Sequence, residues 1–221
     1  MNIKYKSMLD LDHTICSDLF NDVENPWEVL PMIKEYIINK MDTLDDNYYD
    51  YAENVKVHNT ASISDKATII GPTIIGANTE VRPGAYIRGN AIIGENCVIG
   101  NSTEVKNAII FDNAQCPHYN YIGDAILGYY AHTGAGVILS NLKSDKSEVN
   151  VELDGNKVST GLKKMSAIIG NHVEVGCNSV LCPGSLIFEN SNVYPLTRFR
   201  GTLDANMIQK DENTRVRKRE K

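Results

Sequence analysis

The chain has 221 residues, and what it has little of narrows the reading first. It contains no apolar run long enough to span a bilayer as a helix, so no membrane partner is expected. Its 22 Lys and Arg are outnumbered by 28 Asp and Glu, for a formal net charge of −6. That balance disfavours non-specific binding to nucleic acid. The five cysteines, Cys16, Cys97, Cys116, Cys177 and Cys182, are odd in number and show no Cys-x-x-Cys spacing. They therefore argue against a disulfide framework and a zinc site, and fit a reducing compartment. The opening MNIKYKSMLDLDH is not a secretory leader, so a cytoplasmic setting is expected. The closing RVRKREK is a short basic run and reads as solvated charge.

What is present is a period. Ten positions, each six residues after the last, are all apolar: Val57, Ile63, Ile69, Ile75, Val81, Ile87, Ile93, Ile99, Val105 and Phe111. With about half of average usage apolar, such a run arises by chance on the order of once in a thousand. Four residues behind it rides a second register of small residues, Ala61, Ala67, Thr73, Thr79, Ala85, Ala91, Cys97 and Thr103. Six residues make one short strand and one corner, and three such units close a triangular coil of eighteen. The β-branched residue points inward and stacks on its equivalent about 4.8 Å along the axis. The fold class expected is mainly β, a hexapeptide-repeat parallel β-helix over residues 55–190.

The departures from the period are where appendages and function are expected. The pattern slips after Phe111, where Pro117 takes the next inward slot, and resumes one residue short at Leu127. It breaks from Ser140 to Met165 and returns at Ile169. Inside that break, Val149, Val151 and Leu153 alternate and Asp154-Gly155 follows, so residues 142–165 read as a hairpin thrown out from a corner. Residues 1–54 read as a helical segment. Asn25, Pro26 and Glu28 form a start signal, and Trp27, Leu30, Ile33 and Ile37 recur at helical spacing. This segment is expected to cover one end of the coil, an open sheet edge. Residues 191–221 are expected to leave the coil as an extended arm with a basic tail.

The strings QCPHYNYIGDAILG, HTGAGVILSNLKSD, VRPGAYIRGN and STEVKN carry a specific resemblance. Together they resemble the acetyltransferase half of the bifunctional N-acetylglucosamine-1-phosphate uridylyltransferase/glucosamine-1-phosphate N-acetyltransferase enzymes, most of all their archaeal-type relatives. The resemblance covers roughly residues 70–190 and implies a left-handed β-helix and a homotrimer, with sites in clefts between neighbouring coils. It also implies acetyl transfer from acetyl-CoA to an amino-sugar phosphate, most simply glucosamine-1-phosphate, without a metal or a covalent intermediate. His118 matches the family's general base, and a neutral imidazole of pKa about 6.5 suits that task. Tyr121 matches a substrate-positioning tyrosine, and Lys106, beside Glu104, a lysine on the sugar phosphate. Asn141 matches an asparagine near the acetyl group, and Ala135-Gly136 a turn whose backbone faces the cofactor.

Two arginines compete for the phosphate. Motif text points to Arg82, whereas stacking by eighteen residues points from Lys106 to Arg88, the assignment favoured here. Counting by eighteen also places His118 in the column of Arg82. His132 stands where the family usually has asparagine, which leaves the acceptor open, and Lys163 or Lys164 could serve the acetyl site. Nothing in residues 1–54 resembles a nucleotidyltransferase signature, so uridylyl transfer is not expected.

Rival readings are an acetyltransferase for another sugar or sugar nucleotide, and a non-catalytic paralogue that binds a nucleotide sugar or a partner protein. A zinc hydratase on the same coil needs three histidines, and only His118 and His132 fall near each other. His13, His58 and His172 read as ordinary surface or packing residues, Tyr129-Tyr130 as a shield or subunit contact, and 42–50 as an acidic loop.

Overall fold

The computed structural model describes residues 3–219. The expectations for the first two residues and for Glu220 and Lys221 of the basic tail lie outside them. Short strands pair parallel with the strand one coil on, and three faces run along a parallel β-solenoid. The first face runs from Val55–His58 to Thr202–Leu203, the second from Ser62–Ile63 to Met207–Gln209, and the third from Thr68–Ile69 to Arg198–Phe199. Two long strands, Glu104–Ile110 and Tyr121–Leu127, turn the corner from the third face to the first.

Inside, Ile75, Ile93, Ile110, Leu127, Ile169 and Ile187 stack in register and are fully buried. The inward slot is therefore Ile110 and not Phe111, which turns outward into a second cluster. The next inward slot is Cys116 in place of Pro117. Two coils are short: Ile93 to Ile110 and Ile110 to Leu127 each take 17 residues. The shortened corners sit at Asn107 and Asp124, in left-handed backbone with φ of 47° and 51°. Asparagine and aspartate tolerate that region better than other side chains.

Residues 3–41 do not cap an end of the coil. They lie along the first face, whose outward column is Ile74, Ile92, Ile109, Ile126, Ile168 and Leu186. That column is fully buried, packed with Tyr5, Trp27, Leu30, Ile33 and Ile37 in one cluster. The apolar pair in each Ala-Ile-Ile unit explains this: one residue points in, and the other demands a cover. The helical part of the cover from residue 26 onward is started by Asn25, whose N–H donates to Glu28 Oε1 at 3.2 Å. A 3₁₀ helix follows over Pro26–Met32, with Pro26 at its start and Pro31 inside it. The α-helix Ile33–Met41 completes it.

The hairpin forms as expected, Asn150–Leu153 against Asn156–Ser159 with positive φ at Asp154 and Gly155. It is not thrown outward. Val149, Val151 and Met165 are buried in the same cluster as the helical segment. Nor does the chain leave the coil at 190. Asn192–Val193, Arg198–Phe199 and Thr202–Leu203 continue all three faces, with Val193, Phe199 and Leu203 buried in the central stack. At each end of the solenoid one sheet edge meets an antiparallel strand. Tyr48–Ala52, which begins inside the expected acidic loop of 42–50 and runs past it, pairs with Val55–His58, and Arg215–Arg217 of the basic run pairs with Met207–Gln209. Among the described residues, no helix is long and apolar enough to cross a membrane.

Candidate active site

The strand Gln115–His118 ends the second face, and the chain turns to the third within two residues. Tyr119 takes the left-handed corner at φ 51°, and Asn120 is buried beneath it. Asn120 Nδ2 donates to the Gly134 carbonyl at 2.7 Å, and its Oδ1 accepts the His118 N–H at 3.3 Å. The His118 carbonyl in turn accepts the Gly136 N–H at 3.0 Å. His118 thus lies directly below the Ala135-Gly136 turn of the next coil, with its side chain exposed. Glycine at 136 is favoured by φ of +74° and by Asn178, whose Oδ1 a Cβ there would crowd.

The third face presents a polar set. Register puts Lys106 beside Arg88 and Glu104 beside both Tyr86 and Tyr121. Arg88 Nη1 lies 2.6 Å from Glu104 Oε1, and Lys106 Nζ lies 3.6 Å from Asp124 Oδ2. The two cations are thus interleaved with two carboxylates of the chain, and each already has a counter-ion. Asn141 Nδ2 donates to Tyr121 OH at 3.1 Å and to Asp124 Oδ2 at 2.5 Å. Burial, reinforced by Asp124 and Glu104, pushes the Tyr121 phenol pKa above its ordinary value, so it stays protonated and able to donate.

One face therefore collects Arg88, Glu104, Lys106, Tyr121 and Asn141, and the adjoining corner collects His118, Ala135 and Gly136. Arg82 is in neither group. It sits on the second face, bound to Glu80 Oε2 at 2.8 Å. His118 does not share its column: His118 is in register with Asn101, and Asn101 with Pro83, because the coil between 100 and 117 is one residue short. Lys163 and Lys164 are exposed where the hairpin rejoins the coil. His132 lies on the second face, with Nδ1 2.7 Å from Glu174 Oε2, over a groove lined by Asn113, Gln115 and Tyr130. His13 stacks on Tyr129 with centroids 3.6 Å apart and so ties the helical cover to the coil, whereas His172 stacks on Tyr130 within the coil. Among the described residues, no three His, Cys, Asp or Glu side chains converge as a metal set would.

Two contributors escaped the sequence reading, Asn120 and Asp124. The available signal was position: both stand beside corners, in the segment where the hexapeptide pattern slips.

Comparisons with known proteins bear on the family. A family model described as the GMPPB C-terminal domain matches residues 69–195. A bifunctional sugar-1-phosphate nucleotidylyltransferase/acetyltransferase from Sulfurisphaera tokodaii is 33% identical over 180 residues, covering 79% of this chain and 44% of that one. A bifunctional protein GlmU from Methanococcus maripaludis strain C5 is 38% identical over 175 residues, covering 78% and 42%. The chain thus spans a little under half the length of the curated relatives it matches. Among solved structures, a point mutant of AntD, an N-acyltransferase from Bacillus cereus in complex with dTDP and Coenzyme A, aligns with a TM-score of 0.44. It is 17% identical, over 80% of this chain and 92% of that one, a likeness too loose to transfer a ligand. The family model spans more than half of the residues, and the chain belongs to the GMPPB C-terminal domain family, aligning with the acetyltransferase region of its bifunctional relatives.

Proposed function

We propose that this protein is an acetyl-CoA-dependent N-acetyltransferase acting on an amino-sugar phosphate, most simply glucosamine-1-phosphate. The observation that carries the reading is the register of Arg88 with Lys106 one coil below the bonded pair Tyr121–Asn141, with His118 around the adjoining corner. A dianionic phosphate would take Arg88 over from Glu104 and bridge it to Lys106, two cations that already stand side by side. The amine then attacks the thioester carbonyl carbon, the imidazole of His118 takes the amine proton, and the carbon–sulfur bond breaks. The thiolate leaves and is protonated in its turn. Backbone at Ala135-Gly136 lies beside His118, where the acyl donor would run. The direct route involves neither an acyl-enzyme nor a metal.

The names of the bifunctional relatives support acetyl transfer to a sugar phosphate. His118 stands on a corner rather than over its own polar face. This supports a homotrimer in which a neighbouring coil closes the cleft. The His132–Glu174 pair, in the place of a family asparagine, favours a second reading, a different amino sugar or sugar nucleotide as acceptor.

Free-thiol release from acetyl-CoA, with glucosamine-1-phosphate, glucosamine and buffer compared, tests the proposal. A phosphate-dependent rate that falls by about a thousandfold in His118→Ala is expected. A rate unchanged in that variant would defeat the base assignment, and turnover with other amines alone would move the acceptor to the second reading. Sedimentation of the active protein as a monomer would defeat the trimer.

A further inference from the structure

One corner column runs Asn90, Asn107, Asp124 and Asn141, each in register with the next coil. Asn90 and Asn107 occupy left-handed backbone at φ of 50° and 47°, and Asp124 does the same at 51°. Asparagine satisfies that backbone as well as aspartate does, so the corner itself does not call for a carboxylate. Yet Asp124 is 5% exposed and sits between two amides and an ammonium. Asn107 Nδ2 donates to its Oδ1 at 2.9 Å, Asn141 Nδ2 to its Oδ2 at 2.5 Å, and Lys106 Nζ stands 3.6 Å from Oδ2.

An ionised carboxylate only accepts. It obliges both flanking amides to turn their NH2 groups toward it, so the carbonyl end of Asn141 points away from the column. An asparagine at 124 would both donate and accept. The ladder would then run in one sense, and one neighbour would have to turn around. The same substitution would remove the counter-ion of Lys106.

We infer that Asp124 is the positioning residue of this site: its carboxylate fixes the amide of Asn141 and the ammonium of Lys106 in one frame. Its effect on rate rests on the acetyl-transfer reading, whereas its contacts do not. The two side chains it holds are the ones placed at opposite ends of the reaction, the acetyl group and the sugar phosphate. A single buried carboxylate therefore sets their spacing.

The test is Asp124→Asn in the full chain, a change the corner accepts. The melting temperature is expected to stay within about 2 °C of the parent. The kcat/KM for the amino-sugar phosphate is expected to fall by about tenfold to a hundredfold, split between a higher acceptor KM and a lower kcat. In a Lys106→Ala background the KM part should vanish and the kcat part remain. A lower melting temperature with kcat/KM unchanged, or losses that simply add to those of Lys106→Ala, would overturn the inference and leave Asp124 a ladder residue.

A parent chain that acetylates no amino-sugar phosphate defeats the functional reading instead. The inference is then decided by the crystal structure of Asp124→Asn, in which the Asn141 amide and the Lys106 ammonium are expected to leave the positions they hold in the parent. Both side chains unmoved would overturn it.

Discussion

The first and third faces are built on the same inward stack and differ in what they turn outward. The first presents Ile74, Ile92, Ile109, Ile126, Ile168 and Leu186, and every one is buried under the helical segment or the hairpin. The third presents Tyr86, Arg88, Glu104, Lys106 and Tyr121, which remain partly or wholly exposed. In a β-strand, alternate residues face opposite sides, so interior and exterior are chosen independently. The interior column decides that a solenoid forms. The exterior column decides whether a face becomes packing surface or chemical surface.

The largest effect expected from disturbing this contrast is on the covered face. Ile126→Asp would bury an unpaired carboxylate and cost about 3–5 kcal/mol of stability, read in a denaturant titration. Tyr86→Ser on the open face should change stability by no more than about 0.5 kcal/mol. A similar cost at both sites would mean that the open face is also packed, against another subunit.

Next in size is the arginine contrast. Arg88→Ala should raise the acceptor KM by about tenfold or more, because it removes a charged contact from a phosphate. Arg82→Ala, on another face and paired to Glu80, should change it by less than about threefold. The reverse ranking would restore the motif-text assignment.

The smallest effect is alkaline. Burial pushes Cys116 in the central stack and Cys16 and Tyr5 in the cover up to about 12, from 9.0 for the thiols and 10.0 for the phenol. These groups ionise first in the unfolded chain, which then holds fewer protons than the native state. Stability is therefore full below about pH 9 and declines as pH rises from about 9 toward 12. Melting curves across that range should show the fall, and Cys16→Ala should flatten it. A flat profile in the parent would mean that the cover opens before its thiol titrates.

Much of the architecture was legible because a β-helix writes its core as a period. The stack from Val57 to Val105 and the Asp154-Gly155 turn could be read directly. The covered face could not, because Ile92 and Ile93 are adjacent apolar residues and a period-six count sees only one of them. The count put Phe111 inside because the corner at Asn107 is one residue short, and the sequence reading stopped the coil at 190, although Val193 and Phe199 continue the spacing. The pairing of Lys106 with Arg88 was readable from coil length, since that coil keeps all eighteen residues. The column of His118 was not, since the coil below it loses one residue at a left-handed Asn or Asp. Asp124 stayed hidden for a related reason: its identity matters through neighbours one coil up and one coil down, and nothing local in Gly-Asp-Ala announces them.

The antiparallel strands at the two ends of the solenoid have a consequence for growth. A parallel coil is a one-dimensional lattice in which each layer templates another of the same sense, and nothing in its repeat sets a length. Tyr48–Ala52 on the first face and Arg215–Arg217 on the second reverse the strand sense of one sheet edge at each end. A second molecule arriving end-on would meet, on that face, an antiparallel strand where its own coil needs a parallel one. Each short strand therefore stands against further end-on stacking at its own end of the coil.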